Sequence, residues 1–216
     1  MNKISVCIYS NENKINPIDL NRWNQFFSQF SNEIDYFCHF WDSNEFSEKE
    51  LTFNIKKFLI ESDTKKNEIL NKYELEDIKE DVINYYSLMR ASYLKKEYEI
   101  QNQFFYDICF ALCIDKVFTN DELEIISKNV IPTKEGNICT FNLKVLNDFP
   151  YYQIDSKFYY SNSLTFNKLS EFYRFLPTFN ERHVDVEKTP IGSSFYYYIK
   201  VLKIKNVNNN TICKYL

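Results

Sequence analysis

Apolar and polar positions along the chain change period several times, and each change marks an element. Near the start Ile4, Val6 and Ile8 alternate with Ser5, Cys7 and Tyr9. Both sets are apolar or small, which suits a strand covered on both faces within a mainly parallel sheet. Asn16-Pro17 then opens a helix, because the fixed φ of proline fits a first turn whose N–H groups lack partners in any case. Leu20, Trp23, Phe26, Phe27 and Phe30 recur at helical spacing, and Asn32 comes near the end. Ile34 to Trp41 is a second apolar run, stopped by Asp42-Ser43-Asn44. Strand, helix and strand in this order predict a right-handed βαβ unit, and open sheets built from such units hold ligands at the carboxyl ends of their strands. Tyr9 to Asn11 and Trp41 to Asn44 are therefore the first places to look for function.

Downstream the pattern is less regular. Ser47 to Lys57 is weakly helical, Phe58-Leu59-Ile60 suits a short third strand, and Glu61 to Asp81 reads as a charged loop with some helix. From Val82 to Ile100 the pattern is amphipathic: Val82, Tyr86, Met89, Tyr93 and Ile100 mark an apolar face, with Lys95, Lys96, Glu97 and Glu99 assigned to a solvated one. Phe104 to Asp115 is a long apolar run closed by an acid, which predicts a central strand ending in a functional carboxylate. Thr119 to Ser127 is a helix capped by Thr119 or Asn120, and Asn137 to Leu143 a strand after a turn at Gly136. Leu164 to Leu176 is a helix ended by Pro177, Ser194 to Lys205 fits helix or strand alike, and Asn206 to Asn210 is a surface turn. No repeat or linker divides the chain. The expectation is one α/β domain over residues 1–216, an open, mainly parallel, twisted sheet flanked by helices.

Composition mainly excludes. The 216 residues carry 26 basic and 30 acidic side chains, a net charge of −4, spread in short mixed runs. Without a basic stripe to neutralise phosphates, nucleic acid is not an expected partner. The apolar run Ile4 to Tyr9 is too short for a signal-peptide core, and no stretch approaches the roughly 18 apolar residues of a membrane helix. A cytoplasmic location follows as an expectation, host cytoplasm if the source is a virus. The six cysteines form no CxxC pair, and most sit in apolar runs, as reduced buried thiols do. With two glycines in the chain, Gly136 and Gly192, neither a GxxxxGK[ST] phosphate loop nor a GxGxxG dinucleotide loop can exist. GxSxG is absent too, and His39 and His183 leave few ways to build a Ser-His or Cys-His pair. The first strand has no aspartate at its end to act as a phosphatase nucleophile.

Four stretches carry a resemblance by their order and spacing: KISVCIYS, DYFCHFWDSNE, YYSLMRASYLKKEYEIQNQFFYDICFALCIDKVF and DSKFYYSNSLTFNKLSEFYRFL. Together they cover most of the chain, and none is a strict signature alone. In this order the chain resembles small GT-A-like glycosyltransferases of phages, large viruses and bacterial polysaccharide clusters. The resemblance implies a nucleotide-sugar-binding part at about 1–118 and an acceptor-binding part at about 119–216. The implied reaction moves a sugar from a nucleotide diphosphate-sugar donor to a glycan hydroxyl, with Mg²⁺ or Mn²⁺ as cofactor. In the family the central strand ends in Arg-x-Asp or Asp-x-Asp; here it reads Cys113-Ile114-Asp115, so only the final acid is kept.

The departing diphosphate needs its charge neutralised, and a hard cation held by one or two carboxylates and the phosphates themselves does that. Asp115 is the implied donor-site and metal residue; its alternative role is to cap the following turn. Arg90 can reach a phosphate or neighbouring carboxylates through its planar fork, or simply cover its helix face. Tyr9, Ser10 and Asn11 are placed by the resemblance against the base and ribose, with Trp41 and Asp42 completing the wall, although a core role suits Trp41 as well. An inverting transfer needs a base near the acceptor hydroxyl. Asp155 is the family-like candidate, followed by Glu181 and Asp185, and a surface aspartate is the alternative. His183, in the cluster Asn180 to Asp185, stands where some GT-A enzymes supply a further metal ligand, or in a solvated polar loop. Two rival readings remain: a non-catalytic carbohydrate- or protein-binding domain, favoured by Cys113, and another nucleotide-using transferase such as a nucleotidyltransferase, disfavoured by glycine scarcity.

Overall fold

A computed structural model describes residues 2–10, 17–30, 33–42, 54–72, 76–114, 118–130, 132–140, 143–145, 152–154, 158–182, 195, 198–199 and 201–206. The opening unit forms where the pattern places it: β1 (Ile4–Tyr9), α1 (Pro17–Ser28) and β2 (Ile34–Trp41). The next strand differs from expectation. β3 spans Ile55–Glu61, so residues 55–57 are strand rather than the tail of a weak helix. Its pairing with β2 shifts register between Tyr36 and Phe37. Exposure alternates along the strand, but Phe58 and Ile60 take outward positions and Lys57 and Glu61 half-buried ones. Residue type therefore does not show the two-residue alternation that would have announced it.

The charged stretch that follows is mostly helical. α2 (Asp63–Leu70) and α3 (Glu76–Asn102) lead to β4 (Ile108–Cys113), a strand shorter than the apolar run containing it. α4 (Asn120–Asn129) begins at an N-cap Thr119 whose hydroxyl accepts from the Glu122 backbone N–H at 3.2 Å, while the Glu122 carboxylate accepts from the Thr119 N–H at 2.7 Å. Two unpartnered donors of the first turn are satisfied reciprocally, as in a capping box. Then come β5 (Asn137–Thr140), β6 (Leu143–Val145), β7 (Tyr152–Ile154), β8 (Phe158–Ser161), α5 (Ser163–Ser170), α6 (Phe172–Arg182) and β9 (Lys205–Asn206). Pro177 does not end the helix as expected; it lies inside α6 at an exposed position, where water can replace the bond its missing N–H forgoes. Residues 195, 198–199 and 201 are helical, and Asn206 pairs in β9 instead of belonging to a surface turn.

The main sheet has the order β3-β2-β1-β4-β8-β5-β9, and β6 pairs with β7 apart from it. β3, β2, β1 and β4 run parallel, but β8 is antiparallel to both β4 and β5. The architecture is thus α/β with a mixed sheet flanked by helices, compatible with a Rossmann-like arrangement; parallel pairing dominates its first half only.

Strand alternation divides the interior into two layers. Ile4, Val6, Ile8, Cys38, Phe40, Phe110, Leu112, Phe158 and Tyr160 face α1 and α4, where Trp23 and Phe27 pack into them. Phe27 meets Phe110 edge-on at 5.1 Å, and Trp23 lies 5.4 Å from Phe158. Each buried ring contributes roughly 1.5–3 kcal/mol by leaving water. Cys7, Tyr9, Phe37, Trp41, Cys109, Ala111 and Tyr159 face the other way, toward α2, α3, α5 and α6. The five described cysteines, Cys7, Cys38, Cys109, Cys113 and Cys139, are all buried free thiols, as their apolar settings imply. No helix among the described residues is long and apolar enough to cross a membrane.

Two expectations about α3 are overturned: Ile100 is exposed rather than on the apolar face, and the charged face is partly interior. Lys96 and Glu97 are exposed, but Lys95 and Glu99 are buried completely. The Lys95 ammonium donates to Glu99 Oε2 at 2.9 Å and to Ser163 Oγ at 2.7 Å; the Ser163 hydroxyl and the Tyr106 backbone N–H donate to Glu99 Oε1 at 2.5 and 3.0 Å. Docking of α5 covers this part of the helix and closes the pair from water.

Candidate functional site

The sheet grows from β1 in two directions, to β2 and β3 on one side and to β4 on the other. Where neighbours of one strand depart in opposite directions, the connections leave a crevice outside the carboxyl ends. Tyr9, the last residue of β1, lies in register with His39 of β2 and with Cys113 of β4. The backbone N–H of Ile114 donates to the Tyr9 carbonyl at 2.9 Å, so the chain leaving β4 runs beside the chain leaving β1. Asp115 follows next in sequence. It lies outside the described residues, as do Asn11, Asp155, His183 and Asp185, and Glu181 falls within α6.

The described candidates are placed as follows. Tyr9 and Ser10 are both buried, the Tyr9 ring within the layer under α3. Trp41 takes the core role: it is fully buried and stacks on Tyr86 at 5.7 Å. Asp42 is exposed, and its Oδ1 accepts the Asp63 backbone N–H at 2.8 Å, satisfying a first-turn donor of α2 next to the N-cap Ser62. Arg90 finds a carboxylate, its Nε 3.4 Å from Glu61 Oε2.

Glu61 is a centre that the sequence reading did not single out. It ends β3 and accepts from His39 Nε2 at 2.8 Å and from the Tyr86 hydroxyl at 3.2 Å, besides facing Arg90. Burial alone would raise its pKa, but the hydrogen bonds from His39 and Tyr86 and the Arg90 charge bring it below the ordinary carboxylate value. Burial pushes His39 the other way for its kind, down from the usual imidazole value despite the carboxylate beside it. An ionised Glu61 beside a neutral His39 requires the ring proton on Nε2, leaving Nδ1 as a buried acceptor with no hydrogen-bond partner among the described residues. Burial and the Glu61 charge also raise Tyr86, keeping its hydroxyl a donor. The result is an anchored carboxylate paired at 3.4 Å with an arginine whose side chain is one-third exposed, although its Nε is buried and makes no hydrogen bond among the described residues.

A second group overlooked in the sequence is Asn84, on the part of α3 that faces the end of β4. Its Oδ1 accepts from the Cys113 thiol at 3.9 Å, and its buried Nδ2 has no hydrogen-bond partner among the described residues. An unused amide donor in a buried setting is costly unless something else uses it. The sequence held faint signals for the first centre: Glu61 is the first polar residue after Phe58-Leu59-Ile60, and His39 interrupts an apolar strand. Asn84 carried none, because one amide on an amphipathic helix looks like many others. Among the described residues no group of three or more His, Cys, Asp or Glu side chains converges on a point. The chain matches no protein-family model, and no curated protein sequence matches it.

Proposed function

We propose that this chain is a glycosyltransferase that moves a sugar from a nucleotide diphosphate-sugar to a hydroxyl of a glycan acceptor. The observation that most supports this reading is the strand order β3-β2-β1-β4, which sets the reversal point between β1 and β4 with Asp115 as the first carboxylate after β4. Assignment of the sheet to the GT-A fold belongs to the same proposal. In it, the loop from Ser10 to Asn11 lies against the nucleoside and Asp42 borders that wall. Arg90, oriented by Glu61, contacts the diphosphate, and Asp155 takes the proton of the acceptor hydroxyl. Asp115, with His183 as a further ligand, would hold Mg²⁺ or Mn²⁺, whose charge offsets that of the departing diphosphate. The amide donors of Asn84 suit an acceptor oxygen arriving near the end of β4.

Thermal unfolding in the presence of UDP-, GDP- and dTDP-sugars, with and without Mn²⁺, tests this directly. A donor at a hundred times its Kd adds about 2.7 kcal/mol of stability, and donor hydrolysis should accompany the shift. Asp115→Asn is expected to lower turnover on the order of a hundredfold or more, the size of losing one electrostatic stabiliser of a transition state, with the unfolding midpoint unchanged. Undiminished turnover would remove Asp115 from the site. One observation favours a second reading: Cys113, where the resemblance expects Arg or Asp, is a buried thiol against Asn84. A domain that binds glycans or nucleotide-sugars without chemistry would show stabilisation and no hydrolysis.

A further inference from the structure

At the opposite end of the sheet, around the amino ends of β1, β2 and β3, a cleft of about 570 Å³ opens. A six-residue strand such as β1 separates the two ends by roughly 20 Å, so this cleft is distinct from the carboxyl ends of β1 and β4. Asn2, Lys3, Lys56, Glu33, Asp35 and Asn54 supply its polar lining. Asp35 is fixed from three sides: it accepts from the Tyr106 hydroxyl at 2.6 Å and from Asn54 Nδ2 at 3.3 Å, and it lies 3.3 Å from the Lys56 ammonium. Aromatic rings complete the wall. Phe104 packs edge-on against Tyr106 at 4.9 Å and against Tyr98 at 6.1 Å, and the Lys3 ammonium sits 3.9 Å from the Phe104 ring centre.

We infer that this cleft binds a neutral, polyhydroxylated small molecule of the saccharide class, a mono- or disaccharide in size. The volume falls within the usual range of small-molecule sites. Two cationic and two anionic side chains line it, so their charges cancel and favour neither an anion nor a cation. Ammonium and amide donors alternate with carboxylate acceptors, and a hydroxyl both donates and accepts, so a polyol can answer each of them. The half-buried rings of Tyr98 and Phe104 add an apolar part to the lining, one face of Phe104 being covered by the Lys3 ammonium. Because its neighbours hold Asp35 before any ligand arrives, little ordering is left to binding. This site goes beyond the proposed transfer reaction and stands without it.

Isothermal titration of the whole chain with glucose, cellobiose and chitobiose, and with glucuronate and glucosamine as charged controls, tests the inference. At least one neutral sugar should bind saturably and more tightly than either control. Asn54→Ala, a change at an exposed residue that leaves folding intact, should weaken that sugar about tenfold, the size of losing one hydrogen bond in a preformed site. Phe104→Ala should weaken it similarly, and Asp115→Asn should leave it unchanged whatever becomes of donor turnover. The inference is overturned if no neutral sugar saturates, if a charged control binds tighter, if Asn54→Ala has no effect, or if Asp115→Asn abolishes the binding.

Discussion

Helix α3 carries two charged clusters, and they differ in one respect that decides what each can do. Around Lys95 and Glu99 every partner is protein, and both side chains are sealed from solvent. Arg90 is five residues earlier, a rise of about 7.5 Å along the helix. It meets Glu61 in a cluster where both partners keep some contact with water, at 33 % and 17 % side-chain exposure. The closed cluster ties α3 to α5 and to the chain entering β4, so its energy goes into the fold. The half-open one lies toward the carboxyl ends of the strands, where Arg90 pairs with Glu61 but keeps part of its side chain in contact with water. Residue type does not separate the two; closure by distant chain does.

The largest expected effect lies in the closed cluster. Lys95→Ala strands the Glu99 charge in the interior and should cost about 3–5 kcal/mol in chemical denaturation. Replacing both partners, Lys95→Met with Glu99→Leu, should recover much of that loss, since removing both charges removes the need to solvate either. A double variant as unstable as the single one would show that the pair matters for some reason other than its buried charge.

In the half-open cluster, Glu61→Gln keeps an acceptor for His39 but removes the charge that Arg90 faces. Partial solvent screening holds the expected loss to roughly 1 kcal/mol. A loss as large as that of Lys95→Ala would erase the distinction between the clusters.

Acid perturbs the same cluster more gently. His39 in the folded chain titrates below its ordinary 6.5, and Glu61 below its ordinary 4.5. In both cases the unfolded chain binds more protons in the window between the two values, so stability falls as pH falls. The loss begins near pH 6.5 through His39 and continues below about 4.5 through Glu61. Urea titrations from pH 8 to 4 should show this fall, with the lower part missing in Glu61→Gln; stability that rises on acidification would contradict the assigned protonation states. Smallest of all, Arg90→Ala should change stability by no more than about 1 kcal/mol, as for other partly exposed ion pairs, while weakening nucleotide-sugar binding. A multi-kcal loss would place Arg90 with the closed cluster.

These clusters also show how far the sequence could be read. β1, α1 and β2 are plain because their periods are clean and both layers of the sheet are apolar, and Thr119 or Asn120 signals a helix start through local chemistry alone, the structure choosing Thr119. β3 is half visible, since its outward positions hold Phe58 and Ile60 while Lys57 and Glu61 are half-buried, so its regular alternation of exposure is not matched by residue type. α2 falls in a stretch that reads only as loop with some helix, because its charged residues hide the one buried side chain, Ile69, although Ser62 caps it. Lys95 and Glu99 stand four apart on a helix, the spacing of an ordinary surface pair; only Ser163, 68 residues from Lys95, makes them interior. At the candidate site, the strand ends were foreseen and the partners were not. Glu61 meets Arg90 and His39 only once β3 lies beside β2 and beneath α3.

The central claim is that the carboxyl edge between β1 and β4 holds the diphosphate of an activated sugar. A crystal structure of the chain soaked with a nucleotide-sugar and Mn²⁺ tests it most directly. The account predicts density for the diphosphate beyond Tyr9 and Ile114, with the Asp115 carboxylate turned toward it. Density for the nucleotide at any other place, with Asp115 buried away from a cleft, would contradict it.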